Sequence, residues 1–345
     1  MIRWLTKHIA AHPIAAFVVV FTIFPFVIPY EALAAQVLTY GLFALGFNII
    51  YGYTGLLSFG HAAFWGLGAY GTGITLAKLG MTSLWIGLAA GVLAALVAGV
   101  VVGYLCLRRR GIYFAMLTLA FGQMIFFTGF HLSEWTGGDD GLRGIPRLPA
   151  ELPGITIPLD TPLSLYYFTM VIVTLMLAGL KRILESPFGT VLQAIRENES
   201  RAEACGYDVR RVKLLSFTFS ALFAGVAGAL EAVRLNFVPI DALYWTTSAQ
   251  VVIMTLLGGA GTFFGPFVGA ATFLLLEDRL SQLMESWSLV IGIIFIAFVL
   301  FLPKGIWGTL LERLQRGGGR AAVAEPVEMR TSATADSPKE ENGRA

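Results

Sequence analysis

A chain of 345 residues with 56% apolar and only 13% charged side chains is not a soluble globular domain, which carries about 25% charge. Mean hydropathy is +0.73, so the class is a membrane protein, and a net charge of +2 leads to no expectation of a nucleic-acid partner. The two cysteines, Cys106 and Cys205, both fall in segments read below as cytoplasmic, so no disulfide is expected, and no Cys/His spacing suits a metal.

Basic Arg3 and Lys7 precede an apolar stretch from Ile14 to Tyr30, and Ala32-Leu33-Ala34 resembles a signal-peptidase site. The apolar region is long for a signal sequence, so residues 1–34 are read as unprocessed and as containing a first span. A membrane helix needs about 20 mostly apolar residues. Ten segments approach this, at 13–30, 33–52, 56–77, 84–106, 112–131, 163–180, 214–235, 244–258, 264–280 and 287–303. The eighth and ninth are short enough to be re-entrant or tilted, which leaves eight to ten transmembrane helices. The fold class is all-α, a polytopic membrane helical bundle with Gly-interrupted segments.

Orientation follows the clustering of Lys and Arg in short loops. With Arg3 and Lys7 inside, ten-span parity also places Arg108-Arg109-Arg110, the basic segment 181–213, Lys304 and Arg313 inside. The acidic loop 132–162, with Glu134, Asp139, Asp140, Glu151 and Asp160, falls outside. Both termini are therefore expected in the cytoplasm. Residues 1–314 form the membrane domain, including the cytoplasmic segment 181–213. Residues 315–345 open on a run of glycines, lack apolar periodicity and are expected to be a disordered cytoplasmic tail.

Three stretches depart from plain lipid-facing helix. Between Asn48 and Gly73 seven glycines crowd around Asn48, Ser58 and His61. Irregular backbone at membrane depth needs a protein or water cover, so this stretch is a candidate translocation path. Close helix packing through glycine is an equal reading. Residues 257–270, LGGAGTFFGPFVGA, form a second interruption, although the two do not occupy matching places in an inverted repeat. Gln123 and Gln250 join the candidate path as isolated polar residues in spans, while Glu231 and Arg234, three apart, are read as a structural pair.

The third stretch is cytoplasmic. Ser186-Pro187 signals a helix start, Val191, Leu192, Ile195, Ala202 and Cys205 form an apolar stripe, and Gly206 suits a left-handed cap. The pattern predicts one amphipathic helix over 187–206, either docked in a soluble partner or lying at the lipid boundary. No GxSxG, HExxH or phosphate-binding loop occurs, so the chain is not expected to be an enzyme, and any ATP must be hydrolysed on another chain.

The run GYTGLLSFGHAAFWGLGAY from Gly52 to Tyr70 resembles the signature of the branched-chain amino acid permease family of ABC importers. Residues 186–230, LLGGAGTFFGPFVGA and LFLPKGIWG are similar to further parts of it, and the long outer loop looks like its M-type subunit. The resemblance implies a second homologous permease subunit, two cytoplasmic ATPase subunits and a periplasmic substrate-binding protein, around a chain embedded in inner-membrane lipid without a cofactor of its own. It implies import of leucine, isoleucine and valine; urea, short amides or aromatic acids are alternative cargo, and an ion-driven secondary transporter is the alternative from another class. It also makes 187–206 the coupling helix, with Ala194, Ile195, Arg196, Glu197, Glu203 and Gly206 as candidate ATPase-contacting residues. Here Glu203-Ala204 and Gly206 keep only a shortened form of the usual EAA-type loop.

Overall fold

The computed structural model describes residues 13–152, 154–284 and 286–316. The expectations for Arg3, Lys7 and the tail beyond residue 316 concern residues outside these. In chain order the helices are α1 Pro13–Val27, α2 Glu31–Asn48, α3 His61–Ala77, α4 Leu84–Cys106, α5 Ile112–His131 and the short α6 Ser133–Thr136. They continue as α7 Pro162–Leu184, α8 Pro187–Glu197, α9 Glu199–Ala204, α10 Val209–Leu235, α11 Trp245–Gly258, α12 Gly265–Leu283, α13 Trp287–Phe301 and α14 Gly305–Arg316. A two-stranded antiparallel hairpin, β1 Ala150–Leu152 with β2 Ile155–Ile157, pairs Ala150 with Ile157.

Ten of these helices stand where the hydropathy pattern put spans. Five are long and apolar enough to cross a membrane: α2 with its extension to Tyr53, α4, α5, α7 and α10. The others are shorter or more polar. At 14 residues, α11 reaches only about two-thirds of a 30 Å hydrocarbon core at 1.5 Å per residue.

The α2 helix is the mast of the bundle. Apolar residues surround its axis on every side, as expected of a helix enclosed by others, and 89% of its most apolar window is buried. Against it pack α10, α12, α7 and α11, and α10 in turn packs on α3 and α4. The α3–α10 contact is close because neither helix has side chains there. A Cβ on Gly68 would meet the Gly225 carbonyl oxygen at 2.2 Å, and one on Gly228 would meet that of Trp65 at 1.9 Å. Small residues let membrane helices approach in this way and exchange dispersion contacts that lipid cannot better.

Charge separates the two ends of the bundle. At one end Arg110, from the α4–α5 loop, meets Glu203 at 3.0 Å, and Lys213 meets Glu199 at 2.7 Å. The other end carries the 132–161 loop, which folds back on the bundle through a Leu142–Val238 bridge and through Trp85, whose Nε1 donates to the Glu151 carbonyl at 2.7 Å. There the Tyr30 hydroxyl donates to Asp278, and that bond holds the phenol above its ordinary pKa. The Glu231–Arg234 pair forms as expected: Arg234 Nε and Nη2 donate to the two carboxylate oxygens at 2.8 and 2.6 Å.

Four expectations need correction. The third span starts at His61 rather than 56, because residues 54–60 are not helical. The helix expected over 187–206 is two helices, since Asn198 is extended at φ −159° and its side chain caps α9 by accepting from the Arg201 amide at 3.0 Å. Gly206, at φ +88°, follows that second helix. Ser186 stands at the N-cap with Pro187 next, but its hydroxyl donates back to the Ile183 carbonyl instead of capping. Residues 315 and 316 belong to α14, an amphipathic helix that hydropathy alone did not mark because it is short and its charged residues offset its apolar ones.

The α3–α10 contact is testable. Gly228→Ala should destabilise the protein by about 1–3 kcal/mol through overpacking, read as a lower melting temperature in mild detergent. Gly179→Ala should not, because nothing lies within 4 Å of that position. Equal melting of the two variants would remove close approach as the organising contact.

Candidate functional site

The two Gly-rich interruptions, far apart in sequence, meet in space. The α2 helix loosens into a π turn over Ile49–Tyr53, which the Gly55 amide closes on the Tyr51 carbonyl at 3.1 Å, and the chain then runs outside any helix to His61. Its backbone would be costly in lipid unless other groups satisfied it. Two helices supply hydroxyls to its amides, and a third holds one of its side chains. Thr118 of α5 accepts from the Phe59 amide at 3.2 Å, and Ser248 of α11 accepts from the Ala62 amide at 2.8 Å. Thr54 pairs with Ser216 of α10 at 2.7 Å.

Asn48 closes the junction. Its Oδ1 accepts from the Gly261 amide at 2.7 Å while its Nδ2 donates to the Thr262 carbonyl at 2.9 Å, so one amide serves both faces of the α11–α12 turn. Gly261 is at φ +79°, where a side chain would be strained, and a Cβ there would also run into Arg196. Arg196, from α8, donates through Nη1 to the Gly52 carbonyl. The start of α14 leans on the same turn, with the Trp307 and Phe264 rings 5.7 Å apart. One guanidinium thus ties α8 to the first interruption and lies against the second.

The other candidate path residues separate into two groups. Ser58 and His61, like Asn48, are fully enclosed. The His61 ring stacks on Phe43 and packs edge-on to Phe47 and Phe64. Its Nε2 lies 3.4 Å from the Ser220 hydroxyl, which itself donates to the Gly46 carbonyl. The ring proton is therefore on Nε2, and Nδ1 and the Ser58 hydroxyl have no partner among the described residues. Gln123 and Gln250 are half-buried. Of the five, only Gln250 lines one of the larger cavities, a 420 Å³ space at the end of the bundle away from the basic loops. Tyr40, Trp65, Tyr244, Glu231 and Asp241 share that wall, and no Lys or Arg lines it. Sequence reading passed over Tyr40, Trp65 and Tyr244 because aromatic residues in a span look the same whether they face lipid or a cavity.

On α8 and α9 the apolar stripe turns inward. Leu192 is fully buried, and Ile195 and Ala202 cluster with Val209 of α10, so Ile195 anchors the segment to the bundle and is not presented to solvent. Cys205, expected on the stripe, is exposed. The open face carries Ala194, Glu197, Glu203 and Gly206, and Arg196 is exposed except where its guanidinium reaches Gly52.

Asn48→Leu should leave the Gly261 amide and the Thr262 carbonyl enclosed without a partner, at about 1–3 kcal/mol each. Asn48→Asp keeps the acceptor and loses the donor. Melting in detergent should fall in the order wild type, Asp, Leu, and an unchanged Leu variant would refute the junction.

Residues 30–299 match the family described as branched-chain amino acid transport system / permease component. The chain is 30% identical to the high-affinity branched-chain amino acid transport system permease protein LivM of Escherichia coli (strain K12) over 310 residues, covering 84% of this chain and 72% of that one. It is also 30% identical to the autoinducer 2 import system permease protein LsrC of Klebsiella pneumoniae over 46% of each chain. A probable branched-chain amino acid transport permease protein LivH of Methanocaldococcus jannaschii is 30% identical over 44% of this chain and 51% of that one. No solved structure matches it. An all-helical bundle whose two interruptions are pinned together, with relatives that are transport permeases, places this chain in the permease-component family of branched-chain amino acid transport systems.

Proposed function

We propose that this chain is one membrane half of an ATP-driven importer in the inner membrane, carrying leucine, isoleucine or valine from periplasm to cytoplasm. A second homologous permease completes the membrane pair, two ATPase subunits bind the end that carries α8 and α9, and a periplasmic binding protein delivers substrate to the opposite end. Both chain termini then lie in the cytoplasm. No cofactor sits on this chain, and ATP is hydrolysed by the partner subunits.

The observation that carries the mechanism is the bond from Arg196 to the Gly52 carbonyl. Because the α8 stripe is buried in the bundle, its open face, with Ala194 and Glu197, is what an ATPase would push. Movement of α8 pulls on Gly52 through Arg196, and Asn48 passes that displacement to the α11–α12 turn. Both interruptions thus move with the motor, while the α3–α10 contact stays rigid.

The 420 Å³ cavity supports an amino acid as cargo. Its aromatic wall suits an aliphatic side chain and an ammonium group, and with Glu231 paired to Arg234 it is Asp241 that gives the wall negative potential. Anionic aromatic acids are disfavoured there, whereas neutral urea and short amides remain compatible. The ion-driven alternative needs a mid-span carboxylate able to bind the ion. Glu231, the enclosed carboxylate of α10, is committed to Arg234 and to the Thr39 hydroxyl at 2.9 Å.

Reconstituted with its partners, Arg196→Ala should hydrolyse ATP while uptake of labelled leucine falls at least tenfold, roughly the effect of one charge-assisted hydrogen bond. Arg196→Lys should lie between. Leucine uptake per ATP equal to wild type would rule out this linkage, and leucine uptake without ATP or binding protein would rule out the importer.

A further inference from the structure

A cavity of about 850 Å³ lies at the basic end between the α4–α5 loop, the 54–59 segment and α8–α10. Six basic and three acidic side chains line it. The acids are mostly spent within the fold: Arg110 holds Glu203, and Lys213 and Arg110 share Glu199. Among the described residues, Arg108 and Arg210 make no ion pair. They converge instead on one ring, with guanidinium carbons 5.1 and 5.3 Å from the centroid of Tyr104. Two like charges over one exposed aromatic repel each other, and a ring quadrupole offsets only part of that. The arrangement is suited to an anion between them.

The surroundings say which anion. Tyr104 ends an exposed apolar stripe on α4 formed by Leu93, Val97 and Val101, at the spacing of one helix face. Ile112 and Met116 of α5 are exposed and line the cavity itself. A free phosphate has no use for such a track, whereas acyl chains would lie along it below a headgroup at the arginines. We propose that Arg108 and Arg210 hold the phosphate of an anionic phospholipid at the mouth of this cavity, with its acyl chains on the exposed face of α4 and α5. Bound there, the lipid sits beside the loop that Arg110 ties to α9, so the composition of that leaflet acts on the coupling segment. Basic pockets at the ends of membrane helices bind anionic headgroups by the same electrostatics.

The full complex, extracted in mild detergent and supplied with equal amounts of phosphatidylglycerol and phosphatidylcholine, tests this by native mass spectrometry. Wild type should retain phosphatidylglycerol selectively. Arg108→Gln with Arg210→Gln should lose it roughly 25-fold, taking about a factor of five per basic side chain. Arg313→Gln, exposed on α14 outside the cluster, should retain it, and Arg108→Lys with Arg210→Lys should recover most of it, which separates lost charge from misfolding. Equal retention by the Gln pair overturns the proposal. Displacement of the lipid by inorganic phosphate overturns it in favour of a soluble anion. Loss of the ATPase subunits with lipid retention unchanged overturns it in favour of a protein contact.

Discussion

A backbone group shut away from water must find a partner, and this chain interrupts its helices twice where other helices enclose it. Each break answers the need of the other. The carboxamide of Asn48 donates to one residue of the α11–α12 turn and accepts from the next, while the segment after α2 is held by hydroxyls from α5, α10 and α11. The rest of the architecture depends on this closure, because either interruption alone would leave amides and carbonyls without water or protein. It also creates a place where the fold has fewer helical bonds to hold it, bounded by helices that are tightly packed.

That contrast in stiffness is what the proposed transport motion would use. The α3–α10 contact brings backbones together with no side chain between them, and such contacts do not deform gradually. The junction, by contrast, is a small set of hydrogen bonds, one of them from Arg196 at the end of α8. A rigid pair beside a hydrogen-bonded hinge is a suitable arrangement for rocking one part of a bundle against another. The inward-facing stripe of α8 makes the helix part of the bundle, so force on its open face is not lost in a loose surface element.

Charge is arranged with the same division. The cavity near Gln250 has carboxylates and aromatic rings and no basic side chain, whereas the one between α5 and α9 is rich in arginine. Opposite potentials at the two ends of a bundle favour a cationic or zwitterionic solute at one and anionic headgroups or partners at the other.

Hydropathy and the placement of Lys and Arg were enough to locate ten helices to within about five residues at their ends, to gather the basic loops at one end and to mark both interruptions, because each of these is written in consecutive residues. The Glu231–Arg234 pair was legible for the same reason, being three residues apart on one helix. The junction was not. Asn48 and Gly261 are 213 residues apart and Arg196 is 144 from Gly52, and no local pattern says which distant backbone a polar side chain will serve. The α8–α9 break also escaped, since the stripe from Val191 to Cys205 reads equally well through a continuous helix until Asn198 is seen to cap a new one. Sequence determined which segments enter the membrane and where they fail to be helical. Only the tertiary structure decided that the failures pair with each other and that Arg196 ties the first of them to α8, because those choices depend on which helices are neighbours.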